Sequence, residues 1–283
     1  MAAPRFTFSS LPPGSLMGVL NITPDSFSDG GAFFSVEDAA RQARRLVDGG
    51  AQILDLGAEA SSFFRKEVQP TPPEEQLRRL LPVLAALRET LPQTPLSIDT
   101  RSAVVADACL AGGAAIINDI SAGTHDPGMF SAVARHRATM VLMHIMPGYP
   151  ATAPDDADIV GTVRGYLTER IAAARSAGIS EIGIDPGVGF GKSMRDNWKL
   201  VTGLESLAPP GVPVVLGISR KRFLETPPPV EIADELRALA GGFSSAGHPR
   251  DAMTAAVTAF VGPRAALHRV HALLHRSKGA ATC

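Results

Sequence analysis

The 283 residues, 45% of them hydrophobic, can bury one large core. Lys and Arg number 27 against 28 Asp and Glu, a net charge of −1, which excludes a nucleic-acid or membrane-surface protein whose affinity comes from bulk positive charge. Two cysteines, Cys109 and Cys283, exclude a disulfide framework and a cysteine metal cluster and fit a reducing cytoplasm. The N-terminal stretch does not read as a secretory signal, and no run reaches the ~18 apolar residues of a membrane span.

In chain order, apolar runs predict strands at 15–22, 51–57, 95–99, 114–119, 139–144, 181–185 and 213–218. Helices are predicted between them at 35–47, 74–91, 101–111, 128–136, 157–176 and 195–207. Ser35, with Glu37 and Asp38 behind it, is a helix N-cap, and Gly49-Gly50 closes that helix. In the last quarter 252–261 reads as a helix, and 264–270 is the candidate for an eighth strand despite the weak β character of Ala265-Ala266-Leu267.

The strands are near-continuous Val, Ile and Leu runs, as parallel strands buried on both faces require. The expected fold class is α/β, a single TIM (β/α)8 barrel over 15–276, with an N-terminal extension at 1–14 and a tail at 277–283. A doubly wound open sheet is the alternative. Six runs end on a polar or charged group, at Asn21, Asp99, Asn118-Asp119, His144, Asp185 and Ser219-Arg220-Lys221. In a parallel barrel those ends share the C-terminal mouth, where active sites of this architecture lie.

Asn21 to Gly31, with Phe27 at its centre, reads either as a surface turn or as a lid over that mouth. Asp185 to Ser193 follows a strand and precedes a helix like a phosphate loop, but Pro186 stands where the Walker pattern needs Gly. Its glycines suit the close approach of a flat ligand, with Phe190 as a wall and Asp185 as an acceptor. Asp99 serves either as a cap for the helix after it or, with Asn118 and Asp185, as part of a polar set for a heterocycle rich in N–H donors. Ser219-Arg220-Lys221-Arg222 puts three cations at the end of a buried strand, near the usual phosphate corner of a barrel. Arg269 and His271, two apart on a strand, share a face and suit an anion, whereas His268 points the other way. His144 reads equally well as a satisfied core histidine.

Met17 to Gly31, Ser97 to Thr100, Ile116 to Ile120, Leu142 to His144, Asp185 to Lys192, Ser219 to Lys221 and Arg269 to His271 together resemble dihydropteroate synthase, in the right order. The resemblance implies a transferase of folate synthesis that joins 6-hydroxymethyl-7,8-dihydropterin diphosphate to p-aminobenzoate and releases pyrophosphate. Carried over residue by residue, it implies that Asp99, Asn118, Met143, Asp185, Phe190 and Lys221 form the pterin pocket, with Asp99, Asp185 and Lys221 catalytic. Asn21 binds Mg²⁺ beside the pyrophosphate in that reading, and Arg269 and His271 hold the leaving phosphates. Phe27, Ser61, Ser62 and Arg222 lie on the p-aminobenzoate side. The implied partners are these small-molecule substrates and a second copy in a homodimer, with no nucleic acid and no membrane.

Two departures stand out. The family usually carries Gly-Gly-Glu-Ser-Thr-Arg-Pro-Gly after the second strand, and this chain has Gly57-Ala-Glu-Ala-Ser-Ser-Phe-Phe64. Ser61 keeps the hydroxyl of the family's Thr, Ser62 replaces its Arg, and Arg65 is the nearest cation that could take over. Ala272 replaces the acid that usually follows Arg-Val-His. The rival expectation is a synthase-like pterin-binding protein without turnover.

Overall fold

The computed structural model describes residues 6–23, 35–59, 69–243 and 248–273. Strand and helix alternate through β1 Ser15–Asn21, α1 Val36–Asp48, β2 Ala51–Gly57, α2 Pro73–Thr90, β3 Leu96–Asp99, α3 Ala103–Ala111, β4 Ile116–Asp119 and α4 Met129–His136. The second half continues as β5 Thr139–Met143, α5 Ile159–Ser176, β6 Ile182–Asp185, α6 Met194–Thr202, β7 Val215–Gly217, α7 Val230–Gly241, α8 Asp251–Val261 and β8 Leu267–Val270. The strands pair in the order β6-β5-β4-β3-β2-β1-β8-β7, and each of these neighbouring pairs is parallel. A parallel bridge between Ile184 and Val214 joins the two ends. Neighbours in sequence are therefore neighbours in space around a ring, which is a barrel and rules out the doubly wound alternative.

Local chemistry sets the boundaries. Ser35 Oγ accepts the Asp38 N–H at 3.0 Å, as its N-cap role predicts, and Gly50 leaves the helix at φ +107°. The α3 N-cap is Ser102, whose hydroxyl takes the Val105 N–H, so Asp99 is not needed as a cap. The helix expected over 195–207 stops at Thr202 and resumes as a 3-10 turn over Leu204–Ser206, because Gly203 breaks it. Only Val215–Gly217 pairs fully in β7, and β8 shortens to four residues after the Pro263 turn. α7 has no counterpart in the sequence reading; the Pro227-Pro228-Pro229 run before it reads as a loop.

The core has two parts. Leu20, Leu54, Leu56, Ile98, Ile117, Leu142, Ile184 and Leu216 face outward against the helices. Inside the barrel, Phe6, Phe8, Met17, Ile53, Ile116, Val141, Val215 and Leu267 fill the N-terminal half. The segment before β1 plugs that end: Phe8 N–H donates to Glu181 at 2.8 Å and Thr139 Oγ1 donates to the Phe6 carbonyl at 2.8 Å.

Candidate active site

Side chains alternate across a strand, so the residue two beyond each interior apolar side chain also points inward, one layer nearer the mouth. From Ile53, Ile116, Val141 and Leu267 that step reaches Asp55, Asn118, Met143 and Arg269, and from Val215 it reaches Gly217. On β6 the same step from Gly183, whose absent Cβ makes room for the Phe8 ring, reaches Asp185. The mouth is polar because this one inward layer turns polar on four strands at once, at Asp55, Asn118, Asp185 and Arg269.

One half is an ion network. Arg269 Nε donates to Asp55 Oδ2 at 2.6 Å and its Nη2 to Asp99 Oδ2 at 2.8 Å, while Asn118 Nδ2 donates to the same Asp55 oxygen at 3.1 Å. Asp55 is fully buried, whereas the Asp99 side chain is 26% exposed toward the mouth. Burial pushes the Asp99 carboxyl above the ordinary carboxylate range; Arg269 pulls it down, and Asp55, Asp119 and Glu59 add to the rise. Burial disfavours charge on Arg269 too, but Asp55 and Asp99 outweigh it and hold the guanidinium charged. Arg269 is thus already gripped by carboxylates, which the expectation of a free anion ligand did not include. Asp55 was not foreseen because it lies inside its strand rather than at the end; its step of two from Ile53 was the available signal.

The other half surrounds Gly217. A Cβ on Gly217 would lie 3.1 Å from Asp185 Oδ2 and 3.8 Å from Lys221 Nζ, so the missing side chain leaves a space that these two groups flank. Lys221 Nζ donates to the Val188 carbonyl and lies 4.7 Å above the centre of the Phe190 ring. Burial lowers the Lys221 ammonium to about 8, against the pull of Asp185. Burial raises Asp185, with Lys221 and the Gly187 N–H, 2.7 Å from its Oδ1, opposing. Lys192, the Walker-like lysine, turns inward and donates to the carbonyls of Gly187 at 2.8 Å and His144 at 3.1 Å. It braces the loop that carries Asp185 and Phe190 and does not project as a phosphate ligand. Gly187, at φ +66°, has no alternative, since a Cβ there would lie 1.8 Å from the His144 carbonyl oxygen.

The remaining expected residues divide. Met143 is buried beside Asp185 in register, and Asn21 is exposed at the end of β1. His271 Nδ1 sits 3.0 Å from Ser219 Oγ, and burial with nearby Arg269 lowers its ring to about 3, so it is neutral. Of the cation run, Lys221 turns to the mouth, Arg220 pairs with Asp251, and Arg222 is exposed. His144 is buried and stacks edge-on against Tyr166 at 5.0 Å, a core position, but its Nδ1 has no hydrogen-bond partner among the described residues, so it is not the satisfied core histidine expected. Phe27, Ser61, Ser62, Arg65 and the 277–283 tail lie outside the described residues. Next to 60–68, Glu59 accepts the Thr71 N–H at 3.0 Å and ties the two flanks together.

A family model described as pterin binding enzyme matches residues 17–271. The chain belongs to this pterin-binding enzyme family. A dihydropteroate synthase of Synechocystis is 40% identical over 241 residues, covering 80% of this chain and 82% of that one. Among solved structures, the Xanthomonas albilineans dihydropteroate synthase with 4-aminobenzoic acid aligns at TM-score 0.74 and 40% identity, covering 93% of this chain and 88% of that one. The same enzyme in complex with 7,8-dihydropteroate aligns at TM-score 0.73 and 39% identity over 95% and 90% of the two chains. The family's dihydropteroate synthase activity, a transferase reaction of folate synthesis on small-molecule substrates, is the function of this chain.

Proposed function

We propose that Asp99, Asn118 and Asp185 accept and donate hydrogen bonds around the pterin ring of the diphosphate substrate, with Met143 and Phe190 on its faces and Lys221 at its edge. The observation that carries this is the space at Gly217, flanked by Asp185 and Lys221. A flat heterocycle with several N–H groups matches buried carboxylates that lack a full set of protein donors. Asn21, Arg269 and His271 then face the diphosphate. The Arg269 fork has five N–H donors, and Nε and Nη2 are the ones the carboxylates engage among the described residues.

The chemistry follows from the charges. The bond between the pterin methylene carbon and the diphosphate oxygen breaks, its electron pair leaving with pyrophosphate, and positive charge grows on the methylene and ring. Asp99 and Asp185 stabilise that charge, while Arg269 and a neutral, hydrogen-bonding His271 stabilise the leaving anion. The arylamine nitrogen then forms the new C–N bond and loses its proton. No protein nucleophile is required. Phe27, Ser61, Ser62 and Arg222 are proposed on the amine's side.

Mg²⁺ takes one or two protein ligands and completes its shell with water and substrate phosphate. Asn21 offers one exposed oxygen, and no group of three His, Cys, Asp or Glu ligands occurs among the described residues, so the donor set fits an ion carried in on the diphosphate. Bound there, it would neutralise charge on the leaving group. Pairing of two copies along α7 and α8 would cover Val230, which is 88% exposed, and sedimentation at micromolar concentration tests it. The free, buried Cys109 thiol suits a cytoplasmic setting. For the pocket itself, Lys221→Ala and Asp185→Asn each lower kcat/KM by at least about 30-fold, the loss of one preorganised electrostatic group. A near-normal value in either removes that residue from the site.

A further inference from the structure

Arg220 holds a left-handed backbone at φ +59°, immediately before Lys221. An L-residue pays for this conformation because its Cβ crowds the following carbonyl, so something must hold it there. The holding groups come from the start of α8. Asp251, whose side chain is 2% exposed, accepts Arg220 Nε at 2.8 Å and Nη2 at 3.1 Å in a two-point ion pair. Thr254 Oγ1 accepts the Arg220 N–H at 3.2 Å, and Arg250 Nη1 donates to the Arg220 carbonyl at 2.8 Å while its Nε pairs with Glu225 at 2.7 Å. Side chain, N–H and C=O of one residue are therefore all fixed from one helix end. On either side, Lys221 N–H closes on the Ile218 carbonyl at 3.1 Å, and Ser219 Oγ accepts the His271 N–H at 3.1 Å.

An exposed ion pair contributes little, but this carboxylate is buried and bonds a residue one peptide from the ammonium that flanks the space at Gly217 opposite Asp185. We propose that Asp251, with Thr254 and Arg250, is a positioning unit: it locks Arg220 in the left-handed turn and so aims Lys221 at the Val188 carbonyl and the space at Gly217. Asp251 itself touches no substrate. The proposal rests on the placing of Lys221 in the pterin pocket and adds a distant residue that sets its direction. The unit also links the reacting centre to α8, a helix on the outside of the barrel.

The test uses the full-length chain and the variants Lys221→Ala, Arg220→Ala, Arg220→Gly, Asp251→Asn and the Arg220→Gly/Asp251→Asn pair. For each, kcat and KM for the pterin diphosphate are measured at saturating p-aminobenzoate, with rates corrected for the folded fraction from thermal unfolding. Arg220→Ala keeps the Cβ but loses the anchor, and kcat/KM falls at least tenfold. Arg220→Gly adopts the same φ unforced and recovers to within threefold of the parent. Asp251→Asn loses about tenfold alone and less than twofold in the Arg220→Gly background, because it acts only through that turn. Equal losses in the Ala and Gly variants, or an undiminished Asp251→Asn loss in the Gly background, overturn the proposal. An Asp251→Asn protein that does not fold leaves the Ala and Gly comparison to decide. Full activity in Lys221→Ala refutes the pocket assignment and this inference with it, whereas an inactive Lys221→Ala beside a normal Arg220→Ala refutes this inference alone.

Discussion

Replacing Lys221 with Met separates the cost of burying an ammonium from its use. Burial lowers this group from the ordinary 10.5 to about 8, so between those values the unfolded chain binds more protons than the folded one. Stability therefore rises with pH through that window, and the penalty is fully present below about 8. At ~1.4 kcal/mol per pH unit, the window is worth about 3 kcal/mol. Met removes that penalty but leaves the Val188 carbonyl without its donor, which costs about 1 kcal/mol. Lys221→Met is then expected to be more stable than the parent at pH 7 by about 2 kcal/mol, with the difference vanishing as pH approaches 10. Activity runs the other way. In the parent, kcat/KM falls as pH rises above about 8, because the charged form faces the substrate. In the variant it is lower by about 30- to 150-fold at pH 7, and the Lys221 limb is gone. Urea unfolding and initial-rate pyrophosphate release at pH 7, 8 and 9 give both quantities; Lys192, which burial and the Lys221 charge together lower to about 7, is relieved of that charge in the variant and shifts the stability difference in the same direction. A variant less stable than the parent at pH 7, with the same pH slope, refutes the reasoning.

Four further outcomes are expected. Gly217→Ala puts a methyl 3.1 Å from Asp185 Oδ2 and lowers kcat/KM for the pterin diphosphate at least tenfold with little change in melting temperature; a normal kcat/KM shows that the space is not used. Asp55→Asn leaves Arg269 with Asp99 alone and costs about 1–3 kcal/mol in urea unfolding, less than a fully unpaired buried ion because the Arg269 side chain is 21% exposed; no change in stability refutes the network's weight. Asn21→Ala raises the Mg²⁺ concentration for half-maximal rate, and an unchanged Mg²⁺ titration removes Asn21 as a ligand. Arg65→Ala raises the KM for p-aminobenzoate, and an unchanged KM rejects Arg65 as the replacement for the family's missing Arg.

The barrel was legible because parallel strands buried on both faces read as apolar runs, and each run had its helix. Asp99, Asn118, Asp185 and Lys221 were legible because they end such runs. Asp55 was hidden one turn of the pleat deeper, where the apolar pattern of Ile53-Leu54-Asp55-Leu56 carries on past it. The pairing of Arg269 with two carboxylates joins residues 214 and 170 positions apart, a contact that only ring closure creates. Arg220 looked like one more cation in a run, because the chain direction that turns it to Asp251 is a property of one backbone angle. α7 was missed because three prolines before it favour a loop, while the helix that follows buries only Leu236 fully.

The central claim is that this mouth couples a pterin diphosphate to an arylamine. The most direct measurement is pyrophosphate release by the purified full-length protein with Mg²⁺ and the pterin diphosphate, with and without millimolar p-aminobenzoate. The account predicts release that depends on the amine and equals the dihydropteroate formed. Tight pterin binding with no amine-dependent release would contradict it.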